Sequence, residues 1–286
     1  MPGTHQCIGS LKYRRKRMQK HIPLKEGRAL FGRDTNAYEQ GRPDYPLPIF
    51  ALLKEYCGPE ICRMAFEIGP GTGQATEHLL DMGYQVKAVE PDHNLAIRLK
   101  ERLSQYSQDS FSIINSTFEE AILQPGCFDL GIAATSFHWI EPVSGLKKIF
   151  QLLRPGGWFA MWWNVFGDPH NADVFMKRTE HLFAPLSASP SHKAGHHYPY
   201  PLQKRERQDD LAKAGFTGII SDEFRWEAEM DARQTRQLIS TFSPVARLSE
   251  AKRKRLLNEI ERVVKKDFGG KVRRNFVTAI YLARKP

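Results

Sequence analysis

The feature that most constrains this chain is a glycine-rich turn, Glu67-Ile68-Gly69-Pro70-Gly71-Thr72-Gly73, set between an apolar run and an amphipathic one. Met64-Ala65-Phe66-Glu67-Ile68 reads as a short buried strand stopped by Gly69. Gln74 to Met82 reads as a helix, with Ala75, Leu79 and Met82 on one face and Gly83 as its stop. A strand that turns through glycines straight into a helix opens a crossover unit, and a crossover commits the next strand to lie parallel beside the first.

The following sequence repeats that alternation. Gln85–Val89, Phe111–Ile114, Phe128–Ala134 and Trp158–Trp163 read as strands; Asn94–Leu103 and Val143–Leu153 read as helices. Ile219–Glu229 and Phe276–Leu282 supply two more strands. The expected fold is α/β: a Rossmann-like, doubly wound, mostly parallel seven-stranded sheet with helices on both faces. A lid insertion is expected after the fifth strand, because 165–207 is rich in His, Pro and Ser and lacks strong periodicity. The expected division is a basic extension over 1–33 and one domain over 34–286. Within that domain, 34–164 is a core, 165–207 a lid, and 208–286 the rest of the sheet with its helices, including Ser249–Lys266.

Charge and cysteine usage exclude several function classes. Residues 1–33 carry +8 and 247–286 carry +9, which leaves −7 on 34–246. The basicity belongs to the ends, so a phosphate-gripping groove through the body is not expected, and nucleic acid is disfavoured as a partner. The Lys/Arg clusters at 12–17 and 252–255 read as solvated faces. Four scattered cysteines (Cys7, Cys57, Cys62, Cys127) match no zinc spacing and read as reduced thiols in a cytoplasmic protein. No apolar stretch approaches the ~18 residues of a membrane span, and the N-terminus has no signal-peptide core. Oligomeric state is left open.

The turn carries the chemistry. Its glycines let the backbone approach a ligand closely, and Glu90, 23 residues after Glu67 at the tip of the second strand, is placed to accept both hydroxyls of a ribose. Dinucleotides and S-adenosylmethionine both fit that much. The dinucleotide fingerprint needs a sixth-position glycine; counted from Gly69 that position is Gln74, so the dinucleotide reading loses.

Glu67 with Gly-x-Gly-x-Gly, Glu90-Pro91-Asp92 and Leu153-Arg154-Pro155-Gly156-Gly157 together resemble the class I S-adenosylmethionine-dependent methyltransferases. The resemblance covers 34–164 well and the remainder loosely. It implies S-adenosyl-L-methionine as cofactor, S-adenosyl-L-homocysteine as product, and no metal. Glu67, Gly69, Pro70, Gly71, Thr72 and Gly73 would contact the methionine part, and Glu90 with Pro91 the ribose. Thr117 and Phe118 would flank the adenine, and Ala134, Thr135 and Ser136 would line the cofactor beside the methyl group. Tyr38-x-x-x-Arg42-Pro-x-Tyr45 looks like small-molecule members related to the trans-aconitate methyltransferases, in which these side chains close over the methionine end.

His138 is the candidate general base, and Trp139 and Asn164 are candidate substrate contacts. Phe137, Trp139, Trp162 and Trp163 could wall the sulfonium, with Trp162 and Trp163 on opposite faces of their strand. His192, His196 and His197 lack a carboxylate partner and are not taken as a metal site. The site after the fourth strand lacks the Asp/Asn-Pro-Pro-aromatic run of amino-methylating nucleic-acid and protein enzymes, so the expected acceptor is a small organic molecule. A carboxylate-bearing one would follow if Arg42 or Arg154 lies free in the pocket. The alternatives are an RNA or protein methyltransferase docking through the basic ends, and a non-catalytic cofactor-binding module.

Overall fold

The computed structural model describes residues 21–58, 63–192 and 198–286. The N-terminal part is helical: α1 (Leu24–Arg28), a 3-10 turn at Phe31–Arg33, α2 (Thr35–Gly41) and α3 (Leu47–Cys57). Then β1 (Met64–Ile68), α4 (Gln74–Asp81), β2 (Gln85–Val89), α5 (His93–Arg102), β3 (Phe111–Ile114), β4 (Phe128–Ala134), α6 (Pro142–Leu152) and β5 (Leu153–Val165) follow in order. The chain continues through α7 (Val174–Phe183), α8 (Lys204–Lys213), β6 (Thr217–Asp231), α9 (Ala232–Ser240), α10 (Ser243–Ala246), α11 (Glu250–Asp267) and β7 (Lys271–Arg284).

The seven strands form one sheet in the order β3-β2-β1-β4-β5-β7-β6. The first five are parallel, and β7 runs antiparallel between β5 and β6. The strand order reverses between β1 and β4, so the crevice beyond their carboxyl ends is the expected ligand position in an open α/β sheet. Apolar cores cover both faces: Phe66, Phe159 and Trp163 belong to one and Leu79, Leu130 and Trp162 to the other. Adjacent Trp162 and Trp163 therefore do face opposite ways, as strand alternation requires.

Three segments depart from the sequence reading. Residues 21–33 pack onto the domain: Ile22 and Leu30 are buried with Trp139 and Ala246, and Glu26 and Arg28 are tied to Arg247 and Glu119. The lid contains a regular helix, α7, which Asp173 caps by accepting the Met176 amide at 2.6 Å. α9 opens with a capping box between Asp231 and Gln234. It packs with α7 and α11 around Phe175, Leu238, Ile260 and Phe276, a third core beside the sheet. The strands β5, β6 and β7 also run well beyond their apolar centres.

The basic cluster at 12–17 and residues Cys7, Cys62, His196 and His197 lie outside the described residues. Cys57 and Cys127 are free thiols, the former buried. Among the described residues there is no group of three metal-ligating side chains, and no helix is long and apolar enough to cross a membrane.

Candidate active site

A cavity of about 860 Å³ opens at the strand-order reversal and is lined in part by residues of 165–192, from the end of β5 onward. That lies near the upper end of the ~300–1,000 Å³ usual for ligand pockets. The structure brings Tyr38, Arg42, Gly69, Gly71, Glu90, Pro91, Phe118, Thr135, Ser136, His138, Trp139 and Asn164 to its wall.

The half above β1 and β2 is built by backbone geometry. Gly71 has φ +62°, a conformation that strains any L side chain, and a Cβ there would lie 3.3 Å from Tyr38 Cε1, a tight contact. The Glu90 carboxylate accepts the Gly71 amide at 3.0 Å through one oxygen and the Asp92 amide at 2.9 Å through the other. It is 3% exposed, and burial pushes its pKa up to about 8 against the pull of those two amides. The residue also lines the cavity.

At the tip of β4 the backbone turns through Thr135, whose φ of 55° is rare for a β-branched residue. Tyr45 donates to Thr135 Oγ1 at 3.1 Å, and Thr135 N donates to Trp162 O at 2.7 Å, which hold the turn from both sides. This bend lays the short turn Phe137–Trp139 along the cavity. Ser136 is anchored by donating to the Ile68 carbonyl.

The His138 ring belongs to this turn, and its Nδ1 accepts the Trp163 indole N–H at 3.0 Å. Burial, helped by the nearby Arg42 cation, pushes its pKa down to about 3. Indole nitrogen can only donate, so Nδ1 carries no proton and the neutral ring bears its hydrogen on Nε2. In this arrangement the His138 ring lines the cavity with Nδ1 already taken by the indole.

Arg42 donates through Nε to Thr241 Oγ1 at 2.9 Å and through a terminal nitrogen to Thr241 O at 3.1 Å. Its guanidinium lies 5.0 Å from the Tyr38 ring centroid and 5.2 Å from that of Phe166. Asn164 touches the cavity, but its amide is spent within the fold: it donates to Pro43 O and Asp44 O and accepts from Thr278 at 2.7 Å.

Seven expected contacts do not line the cavity. Glu67 alternates with Ile68, so Ile68 faces the cavity while the fully buried Glu67 faces α4 and accepts the Thr76 hydroxyl at 2.6 Å. Its other oxygen has no partner, and burial pushes its pKa up to about 7. Thr72 is buried below the turn, Pro70 accepts the Gly73 amide, and Gly73 packs against Leu99 at the start of α4. Thr117 Oγ1 donates to Glu120 at 2.8 Å, and Ala134 belongs to the core on the opposite face. Tyr45 stands edge-on to Trp162, with its hydroxyl on Thr135. Of the aromatic wall, Trp139 and Trp163 line the cavity, whereas Phe137 and Trp162 are core. Arg154 is paired with Asp129, away from the cavity.

The structure adds residues that the sequence reading missed. Arg28 and Phe31 line the cavity from the N-terminal segment. Arg28 donates to the Trp139 carbonyl and to both Glu119 oxygens, and a Cβ on Gly27 would fall 1.9 Å from the Trp139 ring. Phe166, Phe175, Phe183, Ile239 and Phe242 wall the far half.

The strand order and parallel crossovers are those of a Rossmann-like α/β fold. Residues 66–161 match the family model described as a methyltransferase domain. An uncharacterized methyltransferase of Mycobacterium tuberculosis is 32% identical over 135 residues, 47% of this chain and 52% of its own length. The chain thus spans about half of that relative. An uncharacterized methyltransferase of Schizosaccharomyces pombe is 22% identical over 239 residues, 82% of this chain and 87% of its own. Among solved structures, a Haemonchus contortus phosphoethanolamine N-methyltransferase complexed with phosphomonomethylethanolamine and S-adenosylhomocysteine shares the fold. It has a TM-score of 0.56 at 16% identity, covering 93% of this chain and 60% of that one.

Proposed function

We propose that the protein is an S-adenosylmethionine-dependent methyltransferase whose acceptor is a small organic molecule. The observation that carries this reading is the Glu90 carboxylate. It is buried and anchored by two amides, yet lines the cavity opposite the glycine turn, where a ribose with two adjacent hydroxyls fits its free lone pairs. The cofactor supplies an electrophilic methyl group on a sulfonium.

The chain's own residues bind and orient. Glu90 fixes the ribose, and Gly69 and Gly71 admit the methionine end to the backbone. Arg42, stacked on Tyr38, offers a cation to its carboxylate, and Phe118 borders the adenine position. Holding two reactants in line is worth ~7–11 kcal/mol as effective concentration, provided that water is excluded. Arg28 and Phe31 of the N-terminal segment and residues of 165–192 supply part of the cavity wall. The likeness of Tyr38-x-x-x-Arg42-Pro-x-Tyr45 to small-molecule members supports the small-molecule reading.

Incubating the protein with methyl-labelled S-adenosylmethionine and a fractionated cell extract tests this. Label is expected in the low-molecular-weight fraction. Label in RNA or protein instead would replace the acceptor class, and saturable cofactor binding without transfer to any fraction would favour a binding module.

A further inference from the structure

The far half of the cavity has a chemistry distinct from the cofactor half. Its walls are aromatic and aliphatic: Phe166 follows β5, Phe175 and Phe183 come from α7, Ile239 from α9, and Phe242 from the turn after it. The buried charges beside them neutralise each other. Arg274 donates through Nε to Asp173 at 2.9 Å, both side chains being 4% exposed, and the guanidinium lies 4.8 Å from the Phe175 ring centroid. A molecule filling this chamber meets mainly hydrocarbon and ring faces.

At the boundary between the halves stands His138, with its Nδ1 taken by the Trp163 indole. Its Nε2–H has no hydrogen-bond partner among the described residues, and the ring borders the cavity. Of the other titratable groups on the wall, Arg28, Arg42, Lys177 and Arg274 are cations and Tyr38 is a phenol. Glu90 is held by the Gly71 and Asp92 amides on the cofactor side. Glu180 and His192, which could take a proton, belong to the lid. The group that the β4 tip offers is thus a hydrogen-bond donor, suited to a nucleophile that arrives without a proton to lose. A carboxyl group, with a reference pKa near ~4, meets that condition at neutral pH; a phenol near ~10, and an alcohol, weaker still as an acid, do not.

We propose that the acceptor is a hydrophobic carboxylic acid, its hydrocarbon or aromatic body in the Phe166–Phe242 chamber and its carboxylate oriented by the Nε2–H of His138. The proposal rests on the methyltransferase reading above. A lone pair on the carboxylate oxygen forms the O–C bond while the C–S bond breaks with its electrons going to sulfur. The sulfonium becomes a neutral thioether, the carboxylate becomes a neutral methyl ester, and no proton moves. His138 is a positioning donor.

Two probes, decanoate and cinnamate, are assayed with methyl-labelled S-adenosylmethionine beside acetate, decan-1-ol and decylamine. The expected result is a labelled methyl ester from at least one of the two apolar acids and none from acetate, the alcohol or the amine. The rate should show no histidine limb between pH 6 and 9 beyond that of cofactor binding. In kcat/KM, His138→Ala should lose on the order of 10–100-fold, and His138→Asn, which keeps an N–H donor, should recover most of it. Phe242→Ala should raise KM for the apolar acid with little change in kcat.

Calorimetry with S-adenosylhomocysteine separates the two readings. Cofactor binding with neither acid bound nor esterified overturns the acceptor proposal alone, whereas absence of cofactor binding overturns both. Methylation of the alcohol or the amine overturns the acceptor proposal as well. So does a basic limb in the rate that vanishes in His192→Asn or Glu180→Gln, since it would place a base on the lid.

Discussion

The Glu90 carboxylate accepts the Gly71 amide at 3.0 Å, so the tip of β2 holds the glycine turn at the tip of β1 before any ligand arrives. Burial pushes Glu90 up to about 8, so near neutrality much of it is protonated and its full acceptor capacity is not available. Ribose hydroxyls favour the ionised form. Binding of S-adenosylhomocysteine should therefore release a proton and weaken by about tenfold per pH unit below 8, levelling off above. Titrations from pH 6 to 9 in buffers of different ionisation heat check this; a flat profile would contradict it.

Glu67 has the opposite use for its burial, since it faces α4 and not the cavity. Its folded pKa of about 7 stands above the ordinary value of 4.5. The stability that this shift contributes is therefore present below about 4.5 and is lost as pH rises through 7. Glu67→Gln mimics the protonated form. Relative to wild type, the variant should gain on the order of 3 kcal/mol between pH 5 and pH 9, read from denaturant melts at the two pH values.

Asp173 does three things at once: it caps α7, accepts the Asn275 amide at 3.0 Å, and pairs with Arg274 in a buried setting. Asp173→Ala would leave an unpaired buried guanidinium and should cost roughly 3–5 kcal/mol. Denaturant melts measure that loss. Replacing Asp173 and Arg274 together, as Asp173→Leu with Arg274→Met, should cost less than Asp173→Ala alone.

Gly27 sits where any side chain would enter the Trp139 ring. Gly27→Val should dislodge the segment carrying Arg28 and Phe31 without breaking the sheet. Faster tryptic cleavage at Arg28 and Arg33 and weaker cofactor binding are the expected results. Unchanged cleavage would show that the segment closes by other contacts.

The parallel core was legible because each strand is a short apolar run bounded by glycine or a polar turn, and Glu90 was legible because it ends one. Less readable was everything fixed by distant partners. Arg28 meets the Trp139 carbonyl across 111 residues, and nothing in a basic N-terminal run announces that contact. α7 is hidden among His, Pro and Ser, and its anchor, Arg274, lies in the last strand. The state of His138 depends on the indole of Trp163, a residue that local sequence marks only as strand. Glu67 shows a different limit: period-two alternation with Ile68 turns it from the cavity, although the motif alone suggests a contact.

The measurement that bears most directly on the central claim is calorimetric titration of wild type and Glu90→Ala with S-adenosylhomocysteine, with NADH as control. Saturable binding to the wild type, no response to NADH, and affinity lower by roughly 10–100-fold in the variant are predicted, from the loss of hydrogen bonds to an ionised acceptor. Equal affinity in the two proteins, or binding of NADH alone, would contradict it.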